Sequence, residues 1–331
     1  MPASGSPRLT RRRLLQGAAV LGGTWGLGAR AAPAGPAQVA ITLDLEMSRN
    51  FPTWDATHWD FEKGNLDEPT KRYCVEAARR VRARGGRIHF FALGRTLEQE
   101  NVDWLRGIVA GGHPVGNHTY DHVSVLARRL EDIQFRFKRS PWLIAGREPA
   151  EVIRDNIHRT SLALQSRLGI SPAGFRTPGG FDAGLADRPD LQRMLLDLGF
   201  TWISCKAPRV NTGPVGVEPG AEVLAAIARA QAEAQPFRYP SGLIDVPMSP
   251  VSDVHAFRNC RWPLRAFLAA IRAGVEWAIA HGGAYDFLAH PSVLHPMDPE
   301  FRAIDLICDL VEAAGPRAAL VDVGTLARRA A

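Results

Sequence analysis

The sequence has few cysteines and, after its first 31 residues, no long apolar run. Its 4 cysteines are far apart and form no CxxC pair, which excludes a zinc site built from paired thiolates. They would allow three disulfide connectivities, among which the sequence does not choose. A membrane-spanning helix needs about 20 apolar residues, so we expect no stable membrane insertion of the mature chain. Repeats, long linkers and low-complexity tracts are also missing, which favours a single domain over residues 32–331.

Most of the excess positive charge of the chain comes from its first 31 residues. The formal net charge is +6, but residues 1–31 contain five arginines and no acidic residue. Without this segment, 35 basic residues face 34 acidic ones. We therefore expect no nucleic acid among the partners.

Residues 1–31 are typical of an export signal. TRRRLLQ, residues 10–16, resembles the twin-arginine signal of bacterial Tat export. A mildly apolar, glycine-rich stretch follows, and Ala29-Arg30-Ala31 resembles a cleavage site. We predict a Tat-type signal peptide, the Tat machinery as a partner, and a periplasmic or extracellular mature protein. An uncleaved membrane anchor is the alternative, although the apolar stretch is short for it.

Predicted strands alternate with predicted helices along the rest of the chain. Apolar, strand-like segments lie at 38–47, 87–94, around 115, 173–180, 200–207, 242–249, 284–291 and 318–324. Helical patterns separate them, for example from Asp67 to Gly86 and over 97–112. This alternation predicts an α/β fold with a (β/α) barrel of seven to eight strands, and a doubly wound open sheet is the alternative. Residues 48–66 and 128–157 look like insertions.

The strand at 38–47 ends in two acidic residues. Asp44 and Glu46 lie on the same side of an extended strand, because successive side chains alternate. Two acids are costly to bury unless they are paired or bind a metal ion. Alternatively, the strand ends earlier and both acids are solvated.

Two histidines four residues apart follow the strand around residue 115. In GGHPVGNHTYDH, residues 111–122, His118 and His122 would share one face of a helical turn and could direct both rings at a metal ion. A pair of structural histidines is the alternative. His113 precedes the strand, and we expect it to be structural.

Three more polar residues stand at strand ends, which a barrel gathers at one face. Arg176 precedes a Pro-Gly-Gly turn that can expose a backbone N–H. His290 closes an apolar strand and is a candidate general acid. Asp245 lies in the strand-like segment 242–249, at or just after the end of its strand. A surface arginine in an ordinary turn and a buried structural histidine are the alternatives for the first two.

These segments, in this order, resemble the polysaccharide deacetylases of the NodB-homology type, carbohydrate esterase family 4. The motifs are Thr42-Leu43-Asp44-Leu45-Glu46, His118-Thr119-Tyr120-Asp121-His122, Arg176-Thr177-Pro178-Gly179-Gly180 and Leu288-Ala289-His290. FFALG, residues 90–94, also resembles the family. The resemblance runs from about residue 39 to 325, and the second motif is the most specific part of it.

The resemblance implies a metal-dependent N- or O-deacetylase on a distorted (β/α) barrel. It implies one divalent metal ion, usually zinc, bound by Glu46, His118 and His122. The expected substrate is an N-acetylated glycan such as peptidoglycan or an exopolysaccharide.

The resemblance also implies roles for four further groups. Asp44 would act as general base, and Arg176 would keep it ionised and in place. The Gly179 N–H would stabilise the oxyanion. His290 would protonate the leaving amine, with an acid such as Asp245 tuning it.

The chain departs from the family pattern in three places. Asp-Leu-Glu replaces Asp-Asp-Gly in the first motif, so the roles of Asp44 and Glu46 could be exchanged. Gly179 occupies a position that is frequently aromatic in the family. The loop 48–66 contains Trp54, His58 and Trp59, which could stack on sugars, approach the metal or cap the barrel. Candidate substrate-binding residues are Trp54, Trp59, Tyr120 and Phe181.

Three other functions remain open at this point. Some relatives of the family hydrolyse small cyclic amides or imides on the same fold. A non-catalytic carbohydrate-binding relative is a second possibility, although binding alone needs no acid and base. An iron oxygenase also uses two histidines and one carboxylate, but the α/β alternation disfavours it.

Overall fold

The chain builds one curled, mainly parallel sheet by placing most new strands beside the preceding ones. The computed structural model describes residues 35–48 and 62–331. Its strands are β1 (Ala37–Leu45), β2 (Ile88–Ala92), β3 (Val115–Asn117), β4 (Phe175–Phe181), β5 (Trp202–Lys206), β6 (Phe237–Arg238), β7 (Ile244–Asp245), β8 (Ala284–Ala289) and β9 (Ala318–Leu320). Their order across the sheet is β6-β7-β5-β4-β3-β2-β1-β8, and β9 pairs with the start of β1.

This order confirms the predicted distorted (β/α) barrel. Strands β1 to β5 follow one another as neighbours and β8 returns to the side of β1, whereas the strand order of a doubly wound sheet reverses near its middle. Eight strands form the continuous path, in agreement with the predicted number. The short antiparallel pair β6–β7 was not expected from the sequence.

Helices connect the strands. They are α1 (Glu68–Ala83), α2 (Asp103–Ala110), α3 (Phe135–Arg139), α4 (Pro149–Leu168), α5 (Pro189–Asp197), α6 (Ala221–Ala230), α7 (Leu264–His281), α8 (Pro291–Met297), α9 (Arg302–Ala314) and α10 (Val323–Ala327). Asp67 caps α1: its Oδ1 accepts the Thr70 N–H at 2.9 Å, a contact that stabilises a helix by about 1 kcal/mol. Within the described ranges, no helix is both long and apolar enough to cross a bilayer.

The alternation of side chains along β1 separates the core from the barrel interior. Val39, Ile41 and Leu43 belong to the main hydrophobic core, which also contains buried side chains of α1, α7 and α9. The intervening Thr42 and Asp44 point to the other side, where both contact the guanidinium of Arg176. The carboxyl end of β1 therefore delivers polar groups to the interior of the barrel.

Two local predictions need correction. The helix expected over 97–112 is a 3-10 turn over Gly94–Glu98 followed by α2, because the Asn101 side chain accepts the Asp103 N–H at 2.7 Å and starts a new helix there. Residues 118–122 do not form a helical turn; their conformation is described below. Residues 128–157, predicted to be an insertion, contain α3, two short 3-10 turns and the start of α4.

Candidate metal centre

The two acids of the first motif lie buried at the carboxyl end of β1. Asp44 is 3% exposed and Glu46 is 2% exposed, so the alternative of two solvated acids is excluded. Glu46 Oε2 lies 2.8 Å from His122 Nε2 and 3.5 Å from His118 Nε2. Asp44 Oδ2 lies 3.7 Å from His118 Nε2. Both acids therefore face the histidine pair, and Glu46 is the nearer of the two.

The histidines converge through a loop rather than a helix. Thr119 and His122 have φ angles of 65° and 58°, a left-handed conformation that is uncommon for residues other than glycine. The Asn156 side chain from α4 accepts the N–H groups of Tyr120 and Asp121 at 3.1 and 2.8 Å. The ring centroids of His118 and His122 are 5.3 Å apart. The prediction of convergence is correct, but its stated reason, a helical turn, is wrong.

The hydrogen bonding of His118 identifies its free nitrogen. His118 Nδ1 lies 2.9 Å from the carbonyl oxygen of Arg176. A carbonyl only accepts hydrogen bonds, so Nδ1 carries the proton and Nε2 keeps a lone pair directed at Glu46. Within the described ranges, no hydrogen bond reaches the buried Glu46 Oε2.

These three residues fit a divalent metal ion. One ligand atom from each of Glu46, His118 and His122 lies within 4.8 Å of the other two. Two imidazoles and one carboxylate are a common donor set for zinc, and they leave coordination positions for water or substrate. Glu46 Oε2 is buried and accepts no hydrogen bond from the described residues. A bound metal ion would supply the positive charge that this oxygen otherwise lacks.

Burial and neighbouring charges shift the pKa values of this cluster. Burial lowers the pKa of His122 to about 4, so its ring is neutral at pH 7. Burial alone would raise the pKa of Glu46, but His122 and Lys63 outweigh it and the pKa lies well below its ordinary value. Neutral imidazoles and an ionised carboxylate are the forms that bind metal ions.

Arg176 holds the base candidate from inside the barrel. Its fully buried guanidinium donates to Asp44 Oδ1 at 3.0 Å and to Thr42 Oγ1 at 2.7 Å, and it also donates to Asp286. It lies 4.3 Å from the ring centroid of Phe91. Asp44 Oδ1 is thereby engaged, and Oδ2 is the oxygen that faces the histidines.

The acid beside His290 is Asp253, not Asp245. Asp253 Oδ1 lies 2.8 Å from His290 Nδ1, and Oδ2 accepts the His290 backbone N–H at 2.6 Å. Burial lowers the pKa of His290, but the charge of Asp253 outweighs it and the pKa is raised. Asp245 instead accepts the Tyr239 hydroxyl at 2.6 Å and the Cys205 N–H at 3.0 Å. The expectation about Asp245 is therefore corrected.

Two residues near Glu46 were not recognised in the sequence. Lys63 Nζ donates to Glu46 Oε1 at 2.6 Å, and Ser48 Oγ also donates to that oxygen. Burial lowers the pKa of Lys63 despite the opposing effect of Glu46. Lys63 lies near the end of the loop 48–66, and no motif or periodicity distinguishes it there.

A cavity of about 580 Å³ opens above this cluster. Asp44, Glu46, His118, His122 and His290 all line it, and Thr177–Gly180 form one wall. The turn predicted there is instead part of β4, where the pairing with β5 is irregular. Gly179 has a φ of 81°, a conformation that favours glycine. The predicted metal ligands, the base, the acid and the oxyanion donor Gly179 therefore share one cavity.

Two of the predicted substrate-binding residues, Tyr120 and Phe181, do not line this cavity. Tyr120 lines a second cavity, where its hydroxyl donates to Glu98 at 2.6 Å. Phe181 packs against a separate apolar cluster around Phe175. Trp54, Trp59 and the neighbouring His58 lie outside the described residues, as does the predicted signal peptide. His113 is structural as expected, because its Nδ1 accepts the Ile88 N–H at 2.9 Å.

A comparison with protein families finds one match in the first two thirds of the chain. Residues 60–194 match the family model described as polysaccharide deacetylase. The resemblance to the polysaccharide deacetylase family is confirmed. The matched segment contains His118, His122 and Arg176, whereas β1 with its acids and the later His290 lie outside it. Similarity to this family supports the prediction of a hydrolase that acts on acetylated glycans.

Solved structures of other proteins resemble this chain in fold. A protein described as a polysaccharide deacetylase from Mycobacterium smegmatis is 17% identical with a TM-score of 0.58, covering 90% of this chain and 91% of its own. One from Pseudomonas aeruginosa PAO1 is 11% identical with a TM-score of 0.55, covering 88% and 89%. An allantoinase is 12% identical with a TM-score of 0.56, covering 88% and 89%. No curated protein matches the sequence significantly.

Proposed function

We propose that this chain is a metal-dependent hydrolase that removes N-acetyl or O-acetyl groups from a glycan such as peptidoglycan or an exopolysaccharide. The observation that carries the proposal is the Glu46, His118 and His122 cluster, which shares one cavity with Asp44 and His290. A metal site needs only the first three residues. An acid and a base beside it favour catalysis over binding.

We propose Glu46, His118 and His122 as the ligands of one divalent metal ion, most simply zinc. The deacetylase family is metal-dependent in general. When bound, such an ion lowers the pKa of water and polarises a carbonyl group. Between the two acids, the shorter distances to both imidazoles favour Glu46 as the ligand, which leaves Asp44 for proton transfer.

Asp44 would act as the general base. Its Oδ1 is engaged by Arg176, so Oδ2 would accept the proton of the attacking water. The Arg176 guanidinium also holds the carboxylate in place, with Oδ2 toward His118.

His290 would act as the general acid, and Gly179 would stabilise the oxyanion. Asp253 fixes the protonated Nδ1 of His290, so Nε2 is the nitrogen that would deliver a proton to the leaving amine or alcohol. The backbone N–H of Gly179, on the wall of the cavity, would donate to the carbonyl oxygen as negative charge develops on it.

The nature of the leaving group distinguishes this proposal from its main alternative. A small cyclic amide would need the same base, acid and metal ligands, and an allantoinase has the same fold. Trp54 and Trp59 are our candidates for stacking on sugar rings. We therefore propose comparing acetate release from chitooligosaccharides and peptidoglycan fragments with ring opening of allantoin. Ring opening without acetate release would replace the deacetylase by the cyclic amidohydrolase.

Two variants test the assignment of roles. His118→Ala should abolish metal binding, measured by elemental analysis of the purified protein, because two ligands hold zinc poorly. Asp44→Asn should keep the metal and reduce kcat by about 10²–10⁴-fold, the contribution expected of a general base. A fully active Asp44→Asn variant would contradict the assignment of the base. A metal-bound, active His118→Ala variant would contradict the ligand set.

We also propose that the chain is exported by the Tat pathway and that residues 1–31 are then removed, which leaves residues 32–331 as the mature domain. The support is the sequence TRRRLLQ with the mildly apolar stretch after it. A reporter fused to residues 1–40 should reach the periplasm of a bacterium with an intact Tat system. It should stay in the cytoplasm when Arg11, Arg12 and Arg13 are replaced by lysine, and export that survives this change would contradict the proposal.

A further inference from the structure

We propose that Lys63 is a positioning residue for the metal ligand Glu46. In this role Lys63 holds one carboxylate oxygen and thereby directs the other at the two histidines. The inference rests on the proposed metal site, and it adds a residue that belongs to none of the four sequence motifs.

The two oxygens of Glu46 have different surroundings. Oε1 accepts hydrogen bonds from Lys63 Nζ at 2.6 Å and from Ser48 Oγ, and it lies 3.4 Å from His290 Nε2. Oε2 accepts no hydrogen bond from the described residues and faces the imidazole nitrogens of His118 and His122. Glu46 is therefore arranged to bind an ion through Oε2 alone.

The contacts of Lys63 fix the carboxylate and its strand end together. Lys63 Nζ also donates to Ser48 Oγ at 2.8 Å. The Ser48 N–H donates to Ser292 Oγ at 2.9 Å, and Ser292 Oγ donates to the backbone oxygen of Glu46 at 2.7 Å. Main chain and side chain of Glu46 are thus both held, which leaves the carboxylate little freedom to rotate.

The buried position of Lys63 costs free energy, which positioning of Glu46 would explain. Lys63 is 4% exposed, and buried lysines are rare because the ammonium group loses its hydration. Its charge also repels any cation bound nearby. A purely electrostatic lysine would therefore weaken metal binding, whereas a positioning lysine strengthens it by holding the ligand in place. The two effects have opposite signs, so the direction of the change on mutation decides between them.

Metal affinity of the full chain tests this inference. Zinc would be titrated into metal-free protein against a chelating indicator for the parent, Lys63→Met, Lys63→Gln and the control Lys71→Met, whose lysine pairs with Glu68 on α1. Positioning predicts that Lys63→Met raises the Kd for zinc by about 10- to 100-fold, the usual effect of losing a contact to a ligand. Lys63→Gln retains a donor and should recover part of the loss, and Lys71→Met should match the parent.

The outcomes separate this inference from the proposed function. Thermal unfolding of the metal-free variants shows whether each one folds, and Ser48→Ala, which removes the other donor to Oε1, should give a smaller loss of affinity in the same direction. Parent protein that binds no zinc would overturn the metal site itself. Parent protein that binds zinc, with a folded Lys63→Met variant that binds it equally well or more tightly, would overturn the role of Lys63 alone.

Discussion

At the scale of single residues, the site depends on which atom of each side chain is already engaged. Arg176 holds Asp44 Oδ1, Lys63 holds Glu46 Oε1, and the Arg176 carbonyl fixes the proton of His118 on Nδ1. In each case one atom is fixed and the other faces the cavity. The same pattern applies to His290, whose Nδ1 is fixed by Asp253. Orientation by such partners is what makes a constellation of side chains reactive.

Replacing each of the two candidate acids near His290 should give different results. Asp253→Asn removes the charge that orients His290 and should lower kcat by about 10- to 100-fold, part of the 10²–10⁴ that a general acid supplies. Metal content should not change. Asp245→Asn, which alters the contact with Tyr239, should leave kcat close to that of the parent. Steady-state kinetics on an acetylated glycan measure both, and equal effects of the two variants would contradict the role of Asp253.

At the scale of strands and loops, the buried Arg176 connects several strands of the sheet. From β4 it donates to Thr42 and Asp44 on β1, Ser204 on β5 and Asp286 on β8. Because the guanidinium is fully buried, its removal would leave the carboxylates of Asp44 and Asp286 buried without their positive partner. The arginine that orients the base is therefore also a structural link across the barrel.

Arg176→Met should destabilise the metal-free protein strongly. Breaking a buried ion pair from one side costs about 3–5 kcal/mol, because the remaining charges stay buried. Arg272→Met, which removes an exposed ion pair with Glu276 on α7, should cost less than about 1 kcal/mol. Denaturant unfolding measures both free energies. A loss of stability of the same size in the two variants would show that the interior of the barrel is hydrated.

The sequence predicted the strand ends of the site better than its loops. Asp44, Arg176 and His290 could be located because apolar strands end beside them, and parallel strands bring their ends together. The convergence of His118 and His122 was predicted for the wrong reason, since their loop is set by Asn156 from a distant helix. Asp253 and Lys63 could not be predicted, because their partners are set by tertiary packing and neither belongs to a periodic segment.

At the scale of the whole molecule, the interior of the barrel contains buried titratable groups. An unpaired charge on such a group costs free energy. His89 on β2 is 1% exposed, stacks on Phe91 at 4.7 Å and meets Trp202 edge-on at 5.5 Å. Burial lowers the pKa of His89 to about 3. Its ring therefore stays neutral in the folded protein over most of the acidic range.

This histidine should make the fold sensitive to acid. Between about pH 6.5 and pH 3 the unfolded chain binds a proton at His89 and the folded chain does not, so the free energy of unfolding falls as the pH falls. The slope is at most about 1.4 kcal/mol per pH unit for one such group. His89→Phe should reduce the slope measured by denaturant unfolding between pH 6 and pH 4 by about this amount. An unchanged slope would mean that His89 is protonated in the folded protein.

The central claim, that the cluster of Glu46, His118 and His122 supports metal-dependent deacetylation, has one most direct test. It is acetate release from chitooligosaccharides and peptidoglycan fragments by the purified protein, after removal of metal and after addition of one equivalent of zinc. We predict that acetate release disappears with the metal and returns with zinc. Full activity of the metal-free protein, or a zinc-loaded protein that releases no acetate from these glycans, would contradict the claim.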